Sequence, residues 1–461
     1  MYFTLAIILV AVLAVGVAHA VFTQKVFSEQ IVDRVKTQKI KKIVIGSVLG
    51  AIALLCVLFA CFLPYHVDLS YYQKWGDWIC ANGLSTFYQT FPPDYPPVFL
   101  YFCAALSWLS EITGIQYQII YRLFFSLVYV ASAFVVYAIA NKVAYGHKIG
   151  IALVYALTPA IVADGSVWGQ SDVIVALFAV VLWFFLQSEK WIAFFGTLLA
   201  ALLIKTQIIL FAPVIFIWLI YKMIKNKLYL KFILYAVAFI GLYYLMYLPF
   251  GINYIREGDP FFIFDLFLGQ VGHYTYYSAN AMNFWSALGL NLTEAYPAVI
   301  YISYGVVAVL SVILAVAVIR SHSDDKLLVA CILQLMIVFF ICVSMHERYL
   351  LPAIPLMLFL CAKQKNKKLT FYTACIISLQ FVNLIFAWIY KANDWYDAIQ
   401  GIYIILSLSF LVVACLYTVV CTRILRQGKQ NDTDQNLKVD KHNTDKNEYS
   451  DAEVGNGSVI L

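Results

Sequence analysis

Asp68, Asp94, Asp172, Lys205, His346, Glu347 and Arg348 are ionisable residues in a chain that is 63% hydrophobic and only 12% charged. A carboxylate held near a hydroxyl can take its proton as general base. A planar guanidinium such as that of Arg348 can hold a phosphate through two parallel N–H bonds, and His346 or Lys205 can add donors. Trp168, Gln170, Tyr276, Asn283 and Trp285 supply the aromatic faces and amides that line ligand pockets. The motifs that carry them are "HVDLSYYQKW", "DYPPVFLY", "ADGSVWGQSD", "KTQ", "HYTYYSANAMNFW" and "MHERY".

Each residue also has a plainer reading. Asp68 could cap an interfacial helix, Asp77 could be a solvated loop charge, and Glu347 with Arg348 could be an ion pair closing a membrane span. Ser171 could start a capped helix, and Lys205 could snorkel to the membrane surface. Tyr274, Tyr276, Tyr277 and Trp285 could form an interfacial aromatic belt. Asp164 and Asp172 could suggest a metal pair, but no compact ligand set accompanies them, and no metal or other cofactor is expected.

The elements that must position these residues are membrane spans. With 461 residues and this composition, the chain departs far from soluble usage, and its apolar runs approach the ~20 residues that cross a bilayer. The expectation is an all-α polytopic membrane protein with one helical bundle over residues 1–426. The ten cysteines sit mostly inside apolar runs, where a small buried thiol is ordinary; only Cys80 looks loop-borne, so no disulfide framework is inferred. The net charge of +6 resides in short loops between apolar segments, a topology signal rather than a nucleic-acid surface. Residues 1–22 lack a basic start and read as a retained span. Residues 427–461 are polar and poor in aromatics, which predicts a disordered cytoplasmic tail.

Basic loops at 25–42, 142–148, 222–231, 320–326, 363–368 and from 423 onward should all be cytoplasmic. Three apolar stretches lie between the first two loops, at 43–63, 98–109 and 119–140, and an odd number cannot return the chain to the same side. The shortest, 98–109, falls below the ~17 residues needed to span and is assigned as an amphipathic helix on the outer surface. The alternation then gives about 13 spans of ordinary length, with the N-terminus outside and the C-terminus inside. Residues 64–118 become an extracytoplasmic loop with interfacial helices, and the polar motifs gather on the outer side. Ionisable groups beside spans are costly and mark a site by default.

Taken in order, "HVDLSYYQKW", "DYPPVFLY", "TPAIVADGSVWGQSDVIVAL", "SANAMNFWSALG" and "MHERYLL" resemble the GT-C superfamily of polyprenyl-phosphate-sugar glycosyltransferases. The nearest branches are the dolichyl-phosphate-glucose glucosyltransferases, the GPI mannosyltransferases and their prokaryotic relatives. The resemblance covers 64–351. It implies a GT-C-type bundle and inverting transfer of a hexose from a polyprenyl-phosphate-linked donor to a glycan or lipid-linked acceptor, such as a cell-wall polymer, at the extracytoplasmic face of a plasma membrane. It places the general base at Asp68 and a second acidic position at Asp94. "MHERY" departs from the eukaryotic "HxHEK"-like form, so the phosphate contacts are expected to be redistributed. Two other classes stay open. A secondary transporter would show Gly/Pro-interrupted spans with ionisable groups at mid-membrane. A lipid flippase or scaffold would keep the lipid groove without the chemistry.

Overall fold

In lipid a backbone N–H or C=O has no water to turn to, so a long apolar segment is stable there only as a helix that satisfies its own groups. The computed structural model describes residues 2–29, 38–63, 67–91, 95–271, 274–321, 323, 325–393 and 400–426 and is helical nearly throughout. Asp94, the 427–461 tail and residues 30–37 lie outside the described residues.

The helices in chain order are α1 (Tyr2–Glu29), α2 (Gln38–Phe62), α3 (Val67–Asn82), α4 (Phe87–Thr90), α5 (Pro97–Thr113), α6 (Tyr117–Val143), α7 (Lys148–Ala156) and α8 (Pro159–Val162). They continue with α9 (Asp172–Gln187), α10 (Trp191–Ile204), α11 (Ala212–Lys225), α12 (Tyr229–Arg256), α13 (Phe262–Val271), α14 (Phe284–Ala287), α15 (Pro297–Arg320), α16 (Lys326–Ile341), α17 (Ala353–Gln364) and α18 (Lys367–Asn393). A last helix, α19, covers Gln400–Arg426. The one sheet among the described residues is a parallel pair of two-residue strands, β1 (Ser278–Ala279) and β2 (Met345–His346).

Among the described residues, 7 helices are long and apolar enough to cross a membrane, or 8 if one bent pair counts as a single span. The protein is therefore an all-α, multi-pass membrane protein. Further apolar helices, including α5, α9, α10, α16 and α17, are only 10–17 residues long. Length and apolarity alone thus reach fewer spans than the alternation of basic loops implies. The core runs through the short helices: every residue of α17 from Ala353 to Ala362 is buried, as is nearly all of α16. By contrast α12 and α15 leave wide aliphatic faces exposed, the pattern of helices that meet lipid tails.

The segment 98–109 is helical, as its sequence predicts, within a helix from Pro97 to Thr113. Proline at the first helical position needs no N–H partner, and Gly114 ends the helix with φ 69 and its N–H bonded to the Ser110 carbonyl, a left-handed stop. Cys80 lies in α3 rather than in a loop.

Helices α3 and α5 pack along each other. Their backbones meet at Gly76, where a Cβ would collide with the Cys103 carbonyl and the Ser107 hydroxyl. Ser107 could swing away, but a helix carbonyl cannot. Gly76→Leu should therefore separate the two helices and destabilise the purified protein by more than the ~1–3 kcal/mol of ordinary overpacking, read as a lowered melting midpoint, with Gly76→Ala intermediate. An unchanged midpoint in Gly76→Leu would show that the helices do not cross this closely.

Candidate active site

The site is organised by a break in the chain. A residue before proline is pushed out of the helical region, and Thr158, before Pro159, is extended at φ −66 and ψ 111. The bend between α7 and the segment Pro159–Trp168 is 47°. The second half of that segment, Ala163–Trp168, is a π-helical turn, a rare geometry that often occurs at functional sites. Gly169 then takes φ 80, a left-handed conformation open mainly to glycine, and it lies against Leu69 and Arg122. The amides of Gly169 and Gln170 both donate to the Asp164 carbonyl, at 3.0 and 2.9 Å. The turn thereby sends Trp168 and Gln170 toward the start of α3.

Asp68 stands in the first turn of α3, half-buried. Its Oδ2 accepts from Trp168 Nε1 at 3.0 Å and from Gln170 Nε2 at 2.6 Å. The Gln170 amide is fixed from its other end, where Oε1 accepts from the Tyr72 hydroxyl at 3.1 Å. Tyr72 and Tyr95 share a hydroxyl contact of 2.8 Å. Burial first, with Tyr121 and Asp68 nearby, pushes the Tyr72 phenol well above its ordinary range, so it remains a neutral donor. The plainer reading of Asp68 as only a helix cap does not describe a carboxylate held by two side chains roughly 100 residues away.

From Tyr95 the contacts lead back through charge. Lys205 Nζ sits 5.4 Å from the Tyr95 ring centroid and donates to Asp172 Oδ2 at 2.6 Å. Arg348 Nε approaches the same oxygen at 3.2 Å, while Arg348 Nη1 donates to Glu347 Oε1 at 2.7 Å. The guanidinium also lies over Trp168, 5.9 Å from its ring, within cation–π reach. The path is closed: Asp68, Trp168, Arg348, Asp172, Lys205, Tyr95, Tyr72 and Gln170 form a ring of contacts.

Lys205, Asp172, Glu347 and Arg348 are all buried. Burial works against the charge of Arg348, and Glu347 and Asp172 more than offset it, so the guanidinium pKa lies well above its ordinary value. Arg348 is thus an engaged cation rather than an empty fork, and Lys205 is a buried ion-pair partner rather than a snorkelling side chain.

The "MHERY" segment is held from two sides. Pairing of β1 with β2 sets Ala279 against His346, and Gln380 of α18 donates to the Glu347 carbonyl. The β1 segment is itself anchored: Asn383 of α18 and Tyr403 of α19 both donate to the Asn280 carbonyl. His346 packs its ring edge-on against Tyr274 at 4.5 Å and lies 3.9 Å from Glu347 Oε2.

Tyr276, Asn283 and Trp285 lie apart from this ring. Asn283 caps α14, accepting from the amides of Trp285 and Ser286, and Trp285 donates its indole N–H to the Ile341 carbonyl at 2.9 Å. Tyr276 is part-exposed, and its carbonyl accepts from the Ser344 amide. These residues build the loop that carries β1, with no described bond to the Asp68 group. Ser171 precedes α9 without a side-chain capping bond, so the plainer reading of a side-chain-capped start there does not hold.

Arg122 was not among the expected residues, yet it is buried in α6 and donates to the Leu63 carbonyl at 3.0 Å, just upstream of Asp68. The signal was available, because a lone arginine inside an apolar helix marks a site by default. Two open grooves of about 470 Å³ each flank α3. Both include Gln73 and Ser110, and one adds Asp77 and Glu111. Among the described residues, no group of three His, Cys, Asp or Glu side chains is arranged to hold a metal ion. No family model matches this chain, and a search of curated proteins returns no match.

Proposed function

We propose that this chain is a GT-C-type glycosyltransferase of about 13 spans, each near the usual bilayer length, acting at the extracytoplasmic face of a plasma membrane. It moves a hexose from a polyprenyl-phosphate donor to a glycan or lipid-linked acceptor. The acceptor oxygen attacks the anomeric carbon from the face opposite the phosphate, and Asp68 takes the hydroxyl proton. The bond from the anomeric carbon to the phosphate oxygen breaks with inversion, and the phosphate leaves on its lipid. Lys205 and Arg348 meet the charge that develops on that phosphate, shared with Asp172 and Glu347. The donor's lipid tail would lie against exposed aliphatic helix faces such as those of α12 and α15.

The observation that carries the reading is the ring itself, in which a half-exposed carboxylate and two buried cations share one closed set of contacts. Purified protein in vesicles, supplied with short-chain polyprenyl-phosphate glucose, mannose or galactose and a total glycan or lipid-linked acceptor extract, should form an inverted glycoside detectable by mass spectrometry. Absence of product from every donor would count against it.

A secondary transporter is the second reading, favoured by the broken helix at Pro159 and the buried Asp172–Lys205–Arg348 group. It requires ion-driven accumulation of a solute in the same vesicles without any donor lipid.

A further inference from the structure

Gln270 is buried in α13, a helix whose other side chains, Asp265 apart, are apolar. Its amide is engaged at both ends. Nε2 donates to the Tyr95 carbonyl at 3.2 Å, and Oε1 accepts from the Tyr247 hydroxyl of α12 at 3.3 Å. The Tyr95 carbonyl also accepts from the Tyr88 hydroxyl of α4 at 3.0 Å. One donor already satisfies a buried carbonyl. The second, from a residue 175 positions away, therefore orients the Tyr95 backbone rather than meeting an unfilled acceptor.

What that orientation serves follows from the direction of the bonds beyond it. An ionised carboxylate only accepts, so the Gln170 amide must turn Nε2 to Asp68 and Oε1 to Tyr72, at 2.6 and 3.1 Å. The single hydroxyl proton of Tyr72 is thereby committed to Gln170. The Tyr95 hydroxyl must then be the donor in the 2.8 Å contact between the two phenols. Every bond from Tyr95 through Tyr72 and Gln170 points toward Asp68. The run starts at Tyr95, whose ring stacks on Phe99 at 4.1 Å and whose backbone Gln270 and Tyr88 hold.

We propose that Gln270 is a positioning residue for Asp68, acting through Tyr95, Tyr72 and Gln170. The inference rests on the transferase reading, in which Asp68 is the base. Gln270 sets where the Tyr95 hydroxyl sits. That hydroxyl keeps the Tyr72 proton turned to Gln170, and so keeps the Gln170 amide turned to Asp68.

The test is a double-variant cycle on purified protein in vesicles, with the preferred short-chain polyprenyl-phosphate hexose as donor. Gln270→Met keeps the length of the side chain and removes both of its bonds. Tyr95→Phe keeps the ring and removes only the hydroxyl link. Each single variant should lower kcat by about 10- to 100-fold, the scale on which a displacement of about 1 Å acts from outside the reacting groups, with the donor KM near wild type. In the double variant, Gln270→Met should add little to the loss already caused by Tyr95→Phe, because the route through which it acts is gone. Tyr247→Phe, which releases the far end of the Gln270 amide, should give a smaller loss of the same kind. Losses that multiply in the double variant show that Gln270 does not act through Tyr95 and overturn the proposal. A Gln270→Met protein that melts lower yet keeps wild-type kcat marks a structural tie between α12 and α13, and also overturns it while the transferase reading stands. No transfer by wild type from any donor removes that reading, and the positioning role with it.

Discussion

Asp68→Asn should lower single-turnover transfer by about 10²–10⁴-fold, the range that a positioned general base supplies. The substitution keeps the size of the side chain and one oxygen able to accept from Trp168 Nε1 and Gln170 Nε2, which both bond the carboxylate. What it removes is the basic carboxylate. Donor-lipid binding and the melting midpoint should therefore stay near wild type, since Lys205, Arg348 and Asp172 are untouched. Near-wild-type transfer would sink the assignment. Loss of donor binding in parallel would make Asp68 a positioning residue. A lipid flippase or scaffold would tolerate the change, so the same experiment separates those readings from an enzyme. Asp94→Asn is the companion variant, and a strong loss confined to it would move the base to that residue.

The second large effect is on stability. Asp172→Leu strands Lys205 in a buried site and removes one of the two carboxylates that hold Arg348. Breaking a buried pair from one side leaves an uncompensated charge and costs about 3–5 kcal/mol. Removing both charges is far milder, because well-packed apolar side chains replace such pairs at little cost. Asp172→Leu should thus melt well below wild type, and Asp172→Leu/Lys205→Met should recover most of the loss. Arg348 keeps Glu347 in both variants, so the recovery reports on Lys205 alone. If the double variant shows the sum of the two single losses, the residues are not coupled in the way their 2.6 Å contact implies.

Much of the architecture was legible from the apolar runs, because a segment in lipid has few alternatives to a helix. The helix expected over 98–109 is present, and it runs four residues further, to Thr113, before Gly114 stops it. The span count was less legible. Pro159 bends one apolar run, and the break at Lys205 leaves α10 at 14 residues while the 3-10 turn Thr206–Phe211 runs on into α11 as one 20-residue span, so the spans do not follow the apolar runs one for one. Within the site, the residue types were readable but their partners were not: Asp172 and Lys205 are 33 residues apart, and Asp68 and Gln170 are 102 apart. No local periodicity encodes such contacts. The π-turn has no sequence signature beyond Gly169, and a two-residue strand such as β1 is too short to show alternation. Asn283 and Trp285 were attractive as ligand contacts because capping and loop anchoring use the same side chains as recognition.

The first helix docks against a helix near the end of the chain. Ser378 of α18 donates to the Gly16 carbonyl of α1 at 2.8 Å across 362 residues, and a Cβ on Gly16 would already crowd Ser378. A ribosome moving at about 5–20 residues per second needs roughly 20–70 s to cover that interval. Throughout it, α1 lacks its most extensive neighbour, and the latches from Asn383 and Tyr403 to the β1 segment do not yet exist. Assembly of this bundle is therefore not completed in chain order: until α18 has emerged, α1 can lean only on α7 and α8, and the loop that carries β1 stays without its anchors.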